Sequence, residues 1–157
     1  MNALSLILAL AAGQPAAPVS PASAFQKLEG LVGTWHVAGE TRSPLRIRFY
    51  TTAGGTVLVE EWRKGDVPHS LTLYHLDGGT LLATHYCPQG NQPRLALVSS
   101  DAPILRFAFR DATDLDPRES HQHELAFDLS DPAQPVRSEI YRSSSGDEPS
   151  RLTLARD

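Results

Sequence analysis

The chain contains a single cysteine, Cys87, among 157 residues. An intramolecular disulfide is therefore excluded, and the fold has to be held together by its core. Lysine is nearly missing too, since arginine supplies almost all of the 14 basic residues. With 18 acidic residues and a net charge of −4, a general nucleic-acid role is excluded on electrostatic grounds. The arginines are spread over the whole chain, with no basic patch interleaved with aromatics. The longest opening apolar run, Leu4 to Ala12, falls well short of the roughly 20 residues that a membrane helix needs.

Charge is also absent from the first 24 residues, so every Asp, Glu, Lys and Arg lies beyond Ala24. The run Leu4 to Ala12 suits the apolar region of a secretory signal peptide. Ala9-Leu10-Ala11 and Ala22-Ser23-Ala24 both resemble cleavage sites. Pro15, Pro18 and Pro21 make the stretch between them an extended spacer. The expected organisation is a leader and spacer over residues 1–24 and one domain over 25–157. Its expected location is the periplasm or the exterior, with no membrane insertion once the leader is gone.

Helical periodicity is scarce. Phe25, Leu28, Leu31 and Val32 recur at helical spacing, and the pattern predicts one short helix from Ser23 to Leu31, capped by Ser23. Beyond it the period is two. Strands are predicted at Trp35 to Glu40, Leu45 to Thr52, Thr56 to Arg63, Ser70 to Leu76, Thr80 to Cys87 and Pro93 to Ser99. The series continues at Ile104 to Asp111, His121 to Leu129, Val136 to Arg142 and Arg151 to Arg156. No crossover helix separates them, so the sheet is expected to be antiparallel and sequential. About ten strands in an open sheet would leave two long edges, which closure removes. The expected fold is all-β: an antiparallel up-and-down β-barrel with one short N-terminal helix. A two-sheet sandwich is the alternative.

Gly33-Thr34-Trp35, placed after a short helix and at the start of the first strand, resembles the G-x-W signature of the calycin barrels, the lipocalins and their relatives. The resemblance implies that Trp35 closes the barrel base and that Arg156, in Leu152-Thr153-Leu154-Ala155-Arg156, packs across it. Gly33 to Gly39 also resembles nitrobindin-like barrels, which implies heme or nitric oxide handling. Val37 interrupts their glycine pattern, and the last strand here has no histidine to ligate heme. Thr84-His85-Tyr86-Cys87 with Gly90-Asn91-Gln92-Pro93-Arg94 is similar to exported bacterial barrel proteins of unassigned chemistry.

The site candidates follow from strand parity. A two- or four-residue turn at Asp77-Gly78-Gly79 puts Thr72, Tyr74, Leu76, Leu81, Ala83, His85 and Cys87 on one face, whereas a three-residue turn exchanges the faces. If that face looks inward, Tyr74, His85 and Cys87 place a few polar groups among apolar walls, which is how a small-molecule site is built. The alternative is that His85 and Tyr74 hydrogen-bond each other or a buried water. Asn91 and Gln92 in the next loop add donors and acceptors, or simply form a turn. His121 and His123 share a strand face with Leu125, Phe127 and Leu129. Two histidines fall short of the three or four ligands of a usual zinc site. Only one of the adjacent Glu60 and Glu61 can point inward, with Arg46 or Arg48 as the expected partner. Asp111, Asp114, Asp116 and Glu119 form an acidic loop without calcium-loop spacing.

No nucleophile elbow, P-loop, zinc-protease or dinucleotide motif is present. The reading that follows is a non-catalytic barrel binding a small, mainly apolar molecule, with no metal and no cofactor. A heme-binding barrel, and an enzyme using His85, are the alternatives.

Overall fold

A computed structural model describes residues 20–99 and 103–157. The predicted leader motif at Leu4 to Ala12 and the first cleavage-like site lie outside the described residues. Helix α1 spans Pro21–Glu29 and is followed by ten strands. These are β1 (Gly33–Val37), β2 (Leu45–Thr52), β3 (Val57–Lys64), β4 (Val67–Asp77) and β5 (Thr80–Tyr86). The other five are β6 (Gln92–Ser99), β7 (Ile104–Thr113), β8 (His121–Asp128), β9 (Val136–Ser143) and β10 (Gly146–Arg156). Each strand pairs antiparallel with its sequence neighbour, and β1 pairs with β10, so the sheet is a closed barrel. The architecture is the expected one, and the sandwich is excluded.

The helix begins earlier than its periodicity suggests. Ser20, not Ser23, is the cap, and its Oγ accepts from the backbone N–H of Ser23 at 3.2 Å. Pro21 occupies the first turn, where its missing N–H does no harm. Ala24, Phe25 and Leu28 are buried against β2, β4 and β5. The folded domain therefore reaches back past the boundary expected at residue 25.

The helix closes one end of the barrel. Trp35 is fully buried there, and its indole N–H donates to Leu31 O at 2.7 Å. The Arg156 guanidinium lies 4.4 Å above the Trp35 ring, and its Nη1 donates to Val32 O at 2.9 Å. Gly33 is required at this contact. Its φ is +142°, a region that favours glycine, and a Cβ on it would crowd the Arg156 guanidinium. Trp35↔Arg156 is also a register pair of the β1–β10 seam.

Above this base the interior is filled. Ile47, Phe49, Leu58, Leu81, Leu95, Phe107, Leu125, Phe127 and Leu154 are all buried in one cluster. Phe127 makes edge-on ring contacts with Phe49 and Tyr74, with centroids 6.3 and 6.1 Å apart. Such pairs stabilise beyond the area they bury.

Strand parity fixes what faces inward, and local irregularities change it. Asp77 pairs with Thr80, so the β4–β5 turn is the two residues Gly78-Gly79, with Gly78 at φ +58°. Tyr74 pairs with Ala83 and Thr72 with His85, and all four are buried. Cys87 lies one residue past the end of β5 and is half-buried, with its side chain hydrogen-bonded to Tyr141. On β8 the ladder shifts between Gln122 and Glu124. This bulge turns Gln122 into the buried residue and takes His121 and His123 out of the row formed by Leu125 and Phe127. The expectation that these histidines share the core face is corrected accordingly.

Trp35→Ala is expected to destabilise the protein by about 3–5 kcal/mol, as large-to-small core changes do. Urea unfolding of the two proteins checks this, and a loss below about 0.5 kcal/mol would contradict a closing role for the ring.

Candidate functional site

The end of the barrel opposite α1 is built on a buried carboxylate. Glu60 is fully buried on β3, between Phe49 on one neighbouring strand and Thr72 on the other. Its Oε1 accepts from Arg137 Nε and from Trp62 Nε1, each at 2.6 Å. Its Oε2 accepts from the Tyr74 hydroxyl. Three donors thus converge on one carboxylate, which is how a charge away from water has to be met.

The arginine partner is not the expected one. Arg46 pairs with Arg63 and Arg48 with Glu61, in the opposite parity to the Phe49–Glu60 pair, so both arginines of β2 stand on the outer face. Arg137 comes instead from β9, on the far wall. Its side chain is 1% exposed, and its guanidinium carbon lies 4.9 Å from the centroid of the Trp62 ring. Nη1 is 2.9 Å from Glu139 Oε2, an ion pair in which the N–H is not aimed at the oxygen. Glu139 Oε2 also accepts from Gln122 Nε2 at 2.8 Å, and Oε1 accepts from Ser150 Oγ at 3.2 Å.

These contacts set the charges. Burial alone would lower the Arg137 pKa, but Glu60 and Glu139 reverse that and raise it. Burial alone would raise Glu139, and Arg137 reverses that and lowers it. Burial and the Glu60 carboxylate push the Tyr74 hydroxyl well up, so Tyr74 stays a donor.

His85 completes the site. Its Nδ1 is 2.9 Å from Thr72 Oγ1, and its Nε2 is 3.1 Å from the Tyr141 hydroxyl. Burial, reinforced by Arg137, pushes the His85 pKa down to about 4, so the ring is neutral near pH 7. Burial also raises the Tyr141 hydroxyl. A cavity of about 120 Å³ lies between Trp62, His85, Arg137, Glu139 and Tyr141, with His69, Ser70 and Pro88 completing its wall.

Of the five residues singled out from sequence for ligand binding, His85 lines this cavity. Tyr74 is fully buried and bonded to Glu60. Cys87 is half-buried, with burial raising its thiol pKa. Asn91 is fully buried, and its Nδ2 donates to Ser120 O at 3.0 Å, tying two loops together. Gln92 accepts from Thr113 Oγ1 at 2.5 Å and lies in an outer-wall groove with Thr84, Tyr86 and Arg94.

Trp62, Arg137, Glu139 and Tyr141 escaped sequence reasoning. The signal for the last three lies in β9, where Arg137, Glu139 and Tyr141 alternate with Ser138 and Ile140. Parity alone does not say which face is inside, and here the charged face is.

His121 and His123 lie with Nε2 and Nδ1 3.2 Å apart, packed on Phe109. Arg142 Nη1 is 2.6 Å from His123 Nε2. Among the described residues, no group of three His, Cys, Asp or Glu converges as a metal site requires. No known protein family matches the chain, and no curated protein matches it.

Acid should expose the cost of a neutral His85. The unfolded chain takes up the imidazole proton near pH 6.5, while the folded chain resists until about pH 4. Stability is therefore full above about pH 6.5 and declines as pH falls to about 4, by about 3 kcal/mol at the linkage rate of ~1.4 kcal/mol per unit. His85→Gln should remove that part of the decline, as read from urea unfolding at a series of pH values. An identical slope in both proteins would place the titration elsewhere.

Proposed function

We propose that the protein is a non-catalytic binding barrel that holds a small molecule at its open end. The observation that carries the reading is the cavity of about 120 Å³ set on buried charged side chains. Burying ions costs several kcal/mol each, and an apolar filling of equal volume is often neutral or stabilising. Groups kept at that cost beside a cavity are candidates for function.

The ligand expected from sequence was mainly apolar. The apolar half of the interior is occupied by the protein's own side chains, and the remaining space faces Arg137, Glu139, Tyr141 and His85. A small polar molecule fits that lining better. Heme does not fit it: porphyrin exceeds the roughly 300–1,000 Å³ pockets of drug-sized ligands at their small end, and His85 has both ring nitrogens engaged. Binding is favoured over catalysis because the groups around the cavity are held in hydrogen bonds and ion pairs with one another.

Export is part of this proposal. Ser20 caps α1 and Ala24 is fully buried, so removal of a leader would have to occur ahead of Ser20 to leave the helix whole. Mass measurement on protein recovered from the cell envelope should give a mature chain that retains Ser20. A mature chain starting at Phe25, or full-length protein confined to the cytoplasm, would count against it.

The binding site is tested by filling it. Ser70→Phe places a ring in the cavity wall and should weaken binding of small polar fragments, observed by ligand-detected NMR, by about tenfold or more, a change of about 1.4 kcal/mol. Fragment binding unchanged by Ser70→Phe would remove the cavity from consideration.

A further inference from the structure

We infer that the open-end cavity selects a small organic cation, a primary ammonium or guanidinium group carried on about six heavy atoms or fewer. The inference rests on the binding reading above and assigns the ligand class.

Charge count is the first argument. Glu60 and Glu139 stand against a single guanidinium, Arg137. Glu60 receives donors on both oxygens, from Arg137, Trp62 and Tyr74, so its acceptors are largely used within the protein. His85 brings no positive charge, because burial keeps it neutral. Counted over Glu60, Glu139 and Arg137, two carboxylates stand against one guanidinium. An anionic ligand would meet two carboxylates, whereas a cation supplies the missing charge.

Hydrogen-bonding capacity is the second argument. Gln122 is fully buried beside Glu139, and its Oε1 has no donor among the described residues. Glu139 is the most accessible of the three charged groups, with 15% of its side chain exposed against 0% for Glu60 and 1% for Arg137. Acceptor atoms thus gather around Glu139, which lines the cavity beside the Arg137 Nη1 donor, and an N–H donor of a ligand would be met there. The rings of Trp62 and Tyr141 form part of the wall, and such rings favour cations over anions.

Size is the third. A cavity of about 150 Å³ holds benzene, so about 120 Å³ admits at most a group of similar size.

Propylammonium, propionamide and propionate are near-isosteric probes differing in charge. Titration of each into the full-length protein, followed by NMR at the Trp62 indole and Tyr141 ring signals, tests the inference. Propylammonium should bind about tenfold more tightly than propionamide, and propionate should not bind at ~100 mM. Added salt should weaken the ammonium complex and leave the amide complex alone. Glu139→Gln should bring ammonium and amide to within about twofold of each other. If propionamide or propionate binds as tightly as propylammonium, the charge assignment is overturned and the cavity stands as a neutral or anion site. If none of the three moves the Trp62 and Tyr141 signals, the binding reading falls together with the inference.

Discussion

One ion pair spans the barrel, and the upper half of the interior is arranged around it. Glu60 on β3 and Arg137 on β9 come from opposite walls, 77 residues apart in sequence. Neither is exposed to water, so each is solvated by the other and by the groups that gather around them. Trp62 and Tyr74 donate to Glu60, and Glu139 compensates Arg137. Gln122 and Ser150 then orient Glu139. Loss of either central ion would leave the other uncompensated, the situation in which buried pairs are most damaging to break.

The barrel is consequently divided along its axis. Near α1 the strands supply Phe49, Leu58, Leu81, Phe107 and Phe127, which pack in one apolar cluster. Toward the open end they supply Glu60, Trp62, His85, Glu139 and Tyr141. Apolar side chains fill the space available to them because nothing limits their approach. A hydrogen-bonded set cannot collapse in the same way, because each group is held at bonding distance from specific partners. The cavity is the space left by that constraint, and this is why it lies in the polar half.

Much of the fold was legible because alternation is a local property. The period-two pattern, the Gly78-Gly79 turn and the lack of any crossover helix point to sequential antiparallel strands, and closure follows from the need to remove edges. Long-range choices were less accessible. The alternation of Arg137, Glu139 and Tyr141 with Ser138 and Ile140 is plain, but its orientation depends on Glu60 across the barrel. The bulge at His123 arises from pairing with β9 and leaves no mark on the β8 sequence alone. Arg46 and Arg48 looked like partners of Glu60 by proximity in the chain, yet register puts them on the other side of the sheet. Strand parity identified the row containing His85, and Cys87, one residue past the end of β5, reaches Tyr141 beside it.

The β1–β10 seam has a consequence for how the chain acquires its shape. Trp35 and Arg156 are register partners across that seam, so the first strand has no second neighbour until the last has been made. Until β10 has been made, a growing chain carries two unpaired edges, and such edges pair readily with other chains. Closure must wait for β10 and depends on contacts of very high sequence separation, which are slow to form. Loss of the few residues around Arg156 would therefore do more than remove a surface arginine: it would leave a nearly complete molecule permanently open along one side.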